Sequence, residues 1–158
     1  MLLRNVKTNE RIPAGIELLS LKELKSVAKN KEECKFKWQL EKDYEIYKLF
    51  RLDTDEMLGL MSIQYVPHAL AIKIRLLESG KSNVGSTKQI DGIAGCLISW
   101  ACRLSFINGF HGSIYLIAKS ELIECYKKKY GMRQLGKTQT CEIEQEQAKK
   151  LINEFLSE

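Results

Sequence analysis

Residues 44–52 alternate with a period of two, Tyr44, Ile46, Lys48, Phe50 and Leu52 on one face against Glu45, Tyr47, Leu49 and Arg51 on the other. This pattern predicts a strand with one strongly apolar face and one mixed face. The polar run Asp53, Thr54, Asp55, Glu56 reads as a turn, residues 57–66 as the next strand, and Pro67-His68 as a second turn into a third strand over 69–78. Three strands joined by short turns form an antiparallel meander. A Gly- and Ser-rich loop over 79–87 follows, then a long apolar helix over 89–110, a strand over 113–118 and a helix over 121–130. Strand, crossover helix and strand in that order form a βαβ unit, whose two strands are parallel and joined right-handedly. The predicted sheet is therefore mixed.

The flanks carry local signals of their own. Residues 2–6 and 16–18 suit short edge strands, separated by a break at Pro13 and Gly15. Ser20 followed by Glu23 has the capping-box spacing and opens a helix over 21–30, with Leu21, Leu24, Val27 and Ala28 as its apolar stripe. The charged stretch 29–37 reads as a loop or a second short helix. Gly131 is placed to end the 121–130 helix as a left-handed cap. Two short strands over 132–135 and 138–143 follow. A last helix over 144–157 puts Ala148, Leu151, Ile152, Phe155 and Leu156 on one face, expected to pack on the domain's own sheet.

Composition narrows the function classes. At 158 residues the chain reads as one domain, 1–158, with room for a real core. A net charge of +5 spread along the chain is compatible with a phosphorylated ligand and is a weak signature for nucleic acid. Five cysteines, Cys34, Cys96, Cys102, Cys125 and Cys141, include no CxxC pair and read as reduced thiols of a cytoplasmic protein, with no metal site. The first ten residues have no extended apolar region, which predicts no signal peptide. Arg103 falls inside the apolar run 93–110, where a charge costs about 3 kcal/mol in a membrane. A buried core helix is the better reading.

Three phosphate-binding patterns compete at the start of the long helix. Gly80-Lys81-Ser82 ends like a P-loop, but the position five before Gly80 is Arg75, within a strand. Gly92-Ile93-Ala94-Gly95 is only a fragment of the dinucleotide fingerprint GxGxxG. The third pattern fits: Gln89-Ile90-Asp91-Gly92-Ile93-Ala94 matches QxxGxA. Small side chains at Gly92, Ala94 and Gly95 let a diphosphate approach free backbone N–H groups, where the helix dipole also favours negative charge. Asp91 would repel that diphosphate and is expected to point away.

Through this motif the chain resembles the GNAT superfamily of acyl-CoA-dependent N-acetyltransferases. Strand, loop, helix, strand and helix follow in the family's order, through residues 112–118, Ile123-Glu124-Cys125-Tyr126 and Gly131. Glu78-Ser79, Asn83-Val84-Gly85, Gly92 and Gly95 look like a bacterial subgroup with a lengthened CoA-binding loop. The spacing from Tyr126 to Gly131 is one residue longer than the commonest family form.

The resemblance implies an α/β (α+β) fold in three α/β/α layers, with a mainly antiparallel sheet splayed between two parallel strands. It implies acetyl-CoA as co-substrate, no metal, and transfer to a primary amine by direct attack in a ternary complex. Backbone groups of Leu76, Leu77 and Glu78 would pair with pantetheine amides, and Asn83, Val84, Gly85, Gln89, Gly92, Ala94 and Gly95 would hold the rest of CoA. Tyr126 would be the general acid for the leaving thiolate, or else a helix tyrosine half-buried on the sheet. Glu78 would accept a proton from the amine, or else be a solvated strand-end carboxylate. His68 and His111 lie in turns and read as surface residues; Lys127, Lys128 and Lys129 either steer the nucleotide's 3′-phosphate or form a solvated helix face. The expected partners are CoA and an amine, with no nucleic acid and no membrane, in a monomer or homodimer. Two rivals stand against this reading: a silent GNAT-fold CoA-binding or interaction module, and a small basic nucleic-acid binder.

Overall fold

The protein is described by a computed structural model over residues 1–30, 34–80, 83 and 88–157. The expected residues Val84 and Gly85 lie outside the described residues. In chain order the elements are β1 (Arg4–Asn5), β2 (Ala14–Leu18), α1 (Leu21–Lys29), a 3₁₀ turn (Trp38–Glu41), β3 (Glu45–Arg51), β4 (Met57–Val66), β5 (Ala71–Ser79), β6 (Ile90–Asp91), α2 (Ile93–Ile107), β7 (Ile114–Ile117), α3 (Ile123–Tyr130), β8 (Arg133–Gln134), β9 (Thr140–Ile143) and α4 (Gln145–Phe155).

Seven strands form one sheet in the order β2-β3-β4-β5-β7-β9-β8. Its neighbours are antiparallel except β5 and β7, which are parallel across the α2 crossover. One face buries the main core, in which Leu49, Met61, Ile72 and Ile114 meet Cys96, Leu97, Ile98 and Ala101 of α2 and Leu151 of α4. The opposite face carries a smaller core of Leu24 and Val27 from α1, Trp38, Ile46 and Leu60. The three-layer, mainly antiparallel α/β architecture is thus present. At Gly59, where an added Cβ would lie 2.8 Å from Ile93 Cγ2, the missing side chain lets the start of α2 settle onto β4.

Local signals materialise where their partners are local. Ser20 accepts the N–H of Glu23, and Glu23 accepts that of Ser20, completing the capping box. Gly131 ends α3 at φ +64°. Other boundaries move. The long helix starts at Ile93, because Ile90–Asp91 pairs with Arg4–Asn5 in a separate two-stranded ladder and Gly92 then turns the chain at φ +98°. The short strand expected within 2–6 is thus present as β1, in this ladder and not on the main sheet. The apolar stripe of α4 lies against α2: Ser99 Oγ donates to the Leu151 carbonyl at 3.1 Å, and Phe155 covers Gly95.

Two irregularities shape the centre of the sheet. β5 and β7 pair only at Ile72–Ile114 and Lys73–Tyr115 and diverge beyond, leaving a gap between the C-terminal half of β5 and the end of β7. In the β4–β5 ladder Ser62 faces Leu76 while Ile63 faces Ile74, so Arg75 is an extra residue in β5. Such a bulge reverses which residues turn their peptide groups to which neighbour. After it the N–H of Leu76 donates to Ser62 Oγ at 3.2 Å and that of Gly80 to the Leu58 carbonyl at 3.0 Å, both toward β4. By the alternation of an extended chain, the peptide groups of Leu77 and Ser79 face the gap.

Candidate active site

The gap opens into a cavity of about 770 Å³. Leu77, Glu78 and Ser79 form its β5 wall, Gly92, Ile93 and Ala94 its floor at the start of α2, and Leu122, just before α3, with Cys125, Tyr126 and Lys129 of α3 the wall opposite. Leu2, Arg4, Lys35, Phe36, Lys88 and Lys119 close the sides. Of the residues expected to bind a cofactor, Leu77, Glu78, Asn83, Gly92, Ala94 and Tyr126 line this space, whereas Leu76, Gln89 and Gly95 do not. Leu76 packs into the smaller core beside Trp38, the consequence of the bulge at Arg75. Gln89 is exposed, its carbonyl accepting the N–H of Val6 at 2.8 Å. Gly95 faces inward, where an added Cβ would lie 2.3 Å from the Phe155 ring.

The start of α2 suits an anion. Among the described residues no side chain caps the helix, and its first backbone bond runs from Cys96 N to the Gly92 carbonyl, so the N–H groups of the first turn are free of intrahelical partners. Gly92 is small for a reason of its own: an added Cβ would lie 2.1 Å from the Leu2 carbonyl oxygen, at a φ other residues adopt with strain. Asp91, expected to point away, lines the cavity. Its charge is offset, because Lys88 Nζ lies 2.8 Å from Asp91 Oδ1, and this hydrogen bond, aided by Lys129, holds the Asp91 carboxyl below the usual range.

Tyr126 is half-buried on α3, its ring 6.1 Å from that of Tyr130, and its hydroxyl has no hydrogen-bond partner among the described residues. Burial pushes its pKa up, with Cys125 adding to the effect, so the phenol stays a proton donor through neutral pH. Glu78 is not the solvated carboxylate that a strand end suggests. It is 8% exposed and accepts three N–H groups: Lys35 backbone at 2.7 Å, Phe36 backbone at 3.4 Å and Trp38 Nε1 at 2.8 Å. Its lone pairs are committed to the segment that follows α1. His68 and His111 are exposed and do not line the cavity; of the three lysines on α3, only Lys129 does.

Sequence reasoning missed Lys35, Phe36 and Lys88, and gave Ser79 and Lys119 no role in the site. Lys88 stands beside the motif and was recoverable from the chain; Lys35 and Phe36 sit in a charged stretch without a motif and reach the cavity only through Glu78. Among the described residues no group of three or more His, Cys, Asp or Glu is placed to hold a metal ion. No helix among them is long and apolar enough to cross a membrane.

An elongated ligand can lay an anionic section on the first turn of α2, run an amide-bearing arm along Leu77 and Ser79, and present a reacting group to the Tyr126 hydroxyl. Solved structures share this framework. A tyrosine-to-phenylalanine mutant of the toxin AtaT, bound to the C-terminus of the antitoxin AtaR and acetyl-CoA, matches at 15% identity with a TM-score of 0.57, over 88% of this chain and 98% of that one. The fold is that of the GNAT acetyltransferases. The IAA acetyltransferase from Bacillus cereus ATCC 14579 matches at 14% identity and TM-score 0.57, over 78% and 79% of the two chains. The KacTA–DNA complex matches at 16% identity and TM-score 0.59, over 89% and 99%. No protein-family model and no curated protein matches the sequence. The shared property is the GNAT fold, and the DNA complex among these neighbours lends no support to a sequence-based exclusion of nucleic acid.

Proposed function

We propose that the protein is an acyl-CoA-dependent N-acetyltransferase that moves the acetyl group of acetyl-CoA to a primary amine by direct attack in a ternary complex. The observation that carries this reading is the gap between β5 and β7, which joins the start of α2 to the hydroxyl of Tyr126, neither of them bonded by a described side chain. The acetyl-CoA complex of AtaT, on the same fold, supports it. In this reading the diphosphate lies at Ile93 and Ala94, and Lys88 and Lys129 offset the charge of Asp91 there. The peptide groups of Leu77 and Ser79 meet the pantetheine amides, which a diverging β7 cannot reach.

The neutral amine attacks the thioester carbonyl, a C–N bond forms, and the tetrahedral intermediate expels the CoA thiolate as the C–S bond breaks. Tyr126 donates its phenolic proton to that sulfur and is reprotonated from solvent; the amine's surplus proton leaves to water. Glu78, held by three donors, acts as a positioning residue for the 35–38 segment. This commitment is also what favours the competing reading, a GNAT-fold module that binds CoA without turning it over. Incubation with acetyl-CoA and a panel of primary amines, with acetylated product read by mass spectrometry and free thiol by colour, separates the two. Stoichiometric thiol and acetyl-amine support transfer; tight acetyl-CoA binding with neither product supports the module.

A further inference from the structure

The geometry points to an acceptor subsite formed by Lys35, Phe36 and Lys119, which takes a primary amine carried beside an anionic group, a carboxylate or a phosphate. This deepens the acetyl-transfer reading and rests on it. The segment after α1 is fastened to β5 where the gap opens, because the buried carboxylate of Glu78 accepts the Lys35 and Phe36 backbone N–H groups and the indole N–H of the fully buried Trp38. The segment brings Lys35 and Phe36 onto the cavity wall. Lys119, two residues beyond the end of β7, places its ammonium 6.0 Å from the centre of the Phe36 ring. The two sides of the gap therefore meet at this pair.

The charge of this end selects its guest. Neither Lys35 nor Lys119 takes part in an ion pair with a described residue, and Glu78, the carboxylate that anchors this segment, is enclosed by three donors. A polyamine meets like charge at these two lysines. An amine with a neighbouring carboxylate or phosphate can set that anion against Lys119 and Lys35 and its carbon body against Phe36. The same two cations lower the pKa of the arriving ammonium, since like charge disfavours the charged form. The acceptor then reaches the thioester as a neutral nucleophile without a dedicated carboxylate base.

The test pairs amines that differ in one anionic group: glycine against glycinamide, O-phosphoethanolamine against ethanolamine, with putrescine as the multiply charged cation. Calorimetric titration into the full chain saturated with CoA reads binding without any need for turnover. The anionic member of at least one pair should bind at least tenfold more tightly than its neutral partner, and which pair responds tells carboxylate from phosphate. Lys35→Glu and Lys119→Glu should abolish that preference and leave acetyl-CoA affinity within twofold. Trp38→Phe, which removes one donor from Glu78 and keeps the carboxylate, should weaken the anionic amine and leave the pH profile of turnover in place. Equal binding of charged and neutral partners, tighter binding of putrescine, or acetyl-CoA affinity falling in step with the lysine reversals would overturn the subsite. Selective binding of the anionic amine without product would leave the subsite standing and sink the transfer reading.

Discussion

A Cβ on Gly92 would lie 2.1 Å from the carbonyl oxygen of Leu2, so the glycine that opens α2 is required by the N-terminal segment laid across it. Gly92→Ala should therefore lower stability by about 2 kcal/mol or more, through backbone collision and a strained positive φ, with or without ligand. Urea unfolding without CoA reads this directly. A variant as stable as the wild type would show that Leu2 moves aside freely.

Gly95 and Phe155 make a second pair of this kind. An added Cβ at Gly95 would meet the Phe155 ring at 2.3 Å, at a site where alanine otherwise favours a helix by about 1 kcal/mol. Overpacking costs about 1–3 kcal/mol, so Gly95→Ala should be destabilising alone and stabilising in a Phe155→Leu background. A double-mutant cycle with the same sign in both backgrounds would contradict the packing of α4 on α2.

Much of the fold was legible because its signals are local. The period-two meander, the Ser20–Glu23 box and the Gly131 cap each depend on residues within a few positions of one another. The site was legible in outline only. One inserted residue, Arg75, decides that Leu77 and not Leu76 turns toward the gap, and the alternation of the chain cannot show an insertion relative to a distant partner. In the sequence Gly92, Gly95 and Glu78 have the character of ligand residues, yet Leu2, Phe155 and Trp38 are their close partners, at sequence separations no motif spans.

Acid should act on the face of the sheet opposite α2. Burial works to raise the pKa of Glu41, and the hydrogen bonds from Arg75 and Ser62, at 2.7 and 2.9 Å, outweigh it and hold the carboxyl below the ordinary range. A depressed carboxyl stabilises the fold above its unfolded pKa, about 4.3, and loses that contribution as pH falls through the folded value. Glu41→Gln should cost about 1–3 kcal/mol at pH 7 and flatten the fall in stability below pH 5. Parallel wild-type and variant curves from pH 7 to 3 would contradict this.

Tyr126→Phe removes a hydroxyl that bonds to no described residue and keeps the ring against Tyr130. Stability and CoA affinity should change little, while the single-turnover rate of acetyl transfer falls by about 10- to 10⁴-fold, the range for a lost general acid. Since burial raises the Tyr126 pKa, no basic limb assigned to this group should appear below pH 10 in the wild type. An unchanged single-turnover rate would remove Tyr126 from the chemistry.

The central claim is that the start of α2 holds the diphosphate of acetyl-CoA, and Ala94 tests it most directly, because it lines the cavity in the first turn and, unlike Gly92 and Gly95, already carries a Cβ. Ala94→Glu places a carboxylate where the dipole favours it, so the fold should keep its stability or gain about 0.3–1 kcal/mol. The same carboxylate occupies and repels the diphosphate site. Calorimetric titration of acetyl-CoA into the two proteins should show one-to-one binding to the wild type and affinity at least about tenfold weaker in the variant, a loss of about 1.4 kcal/mol. Equal affinity in a folded Ala94→Glu protein, or no binding to the wild type, would contradict the account.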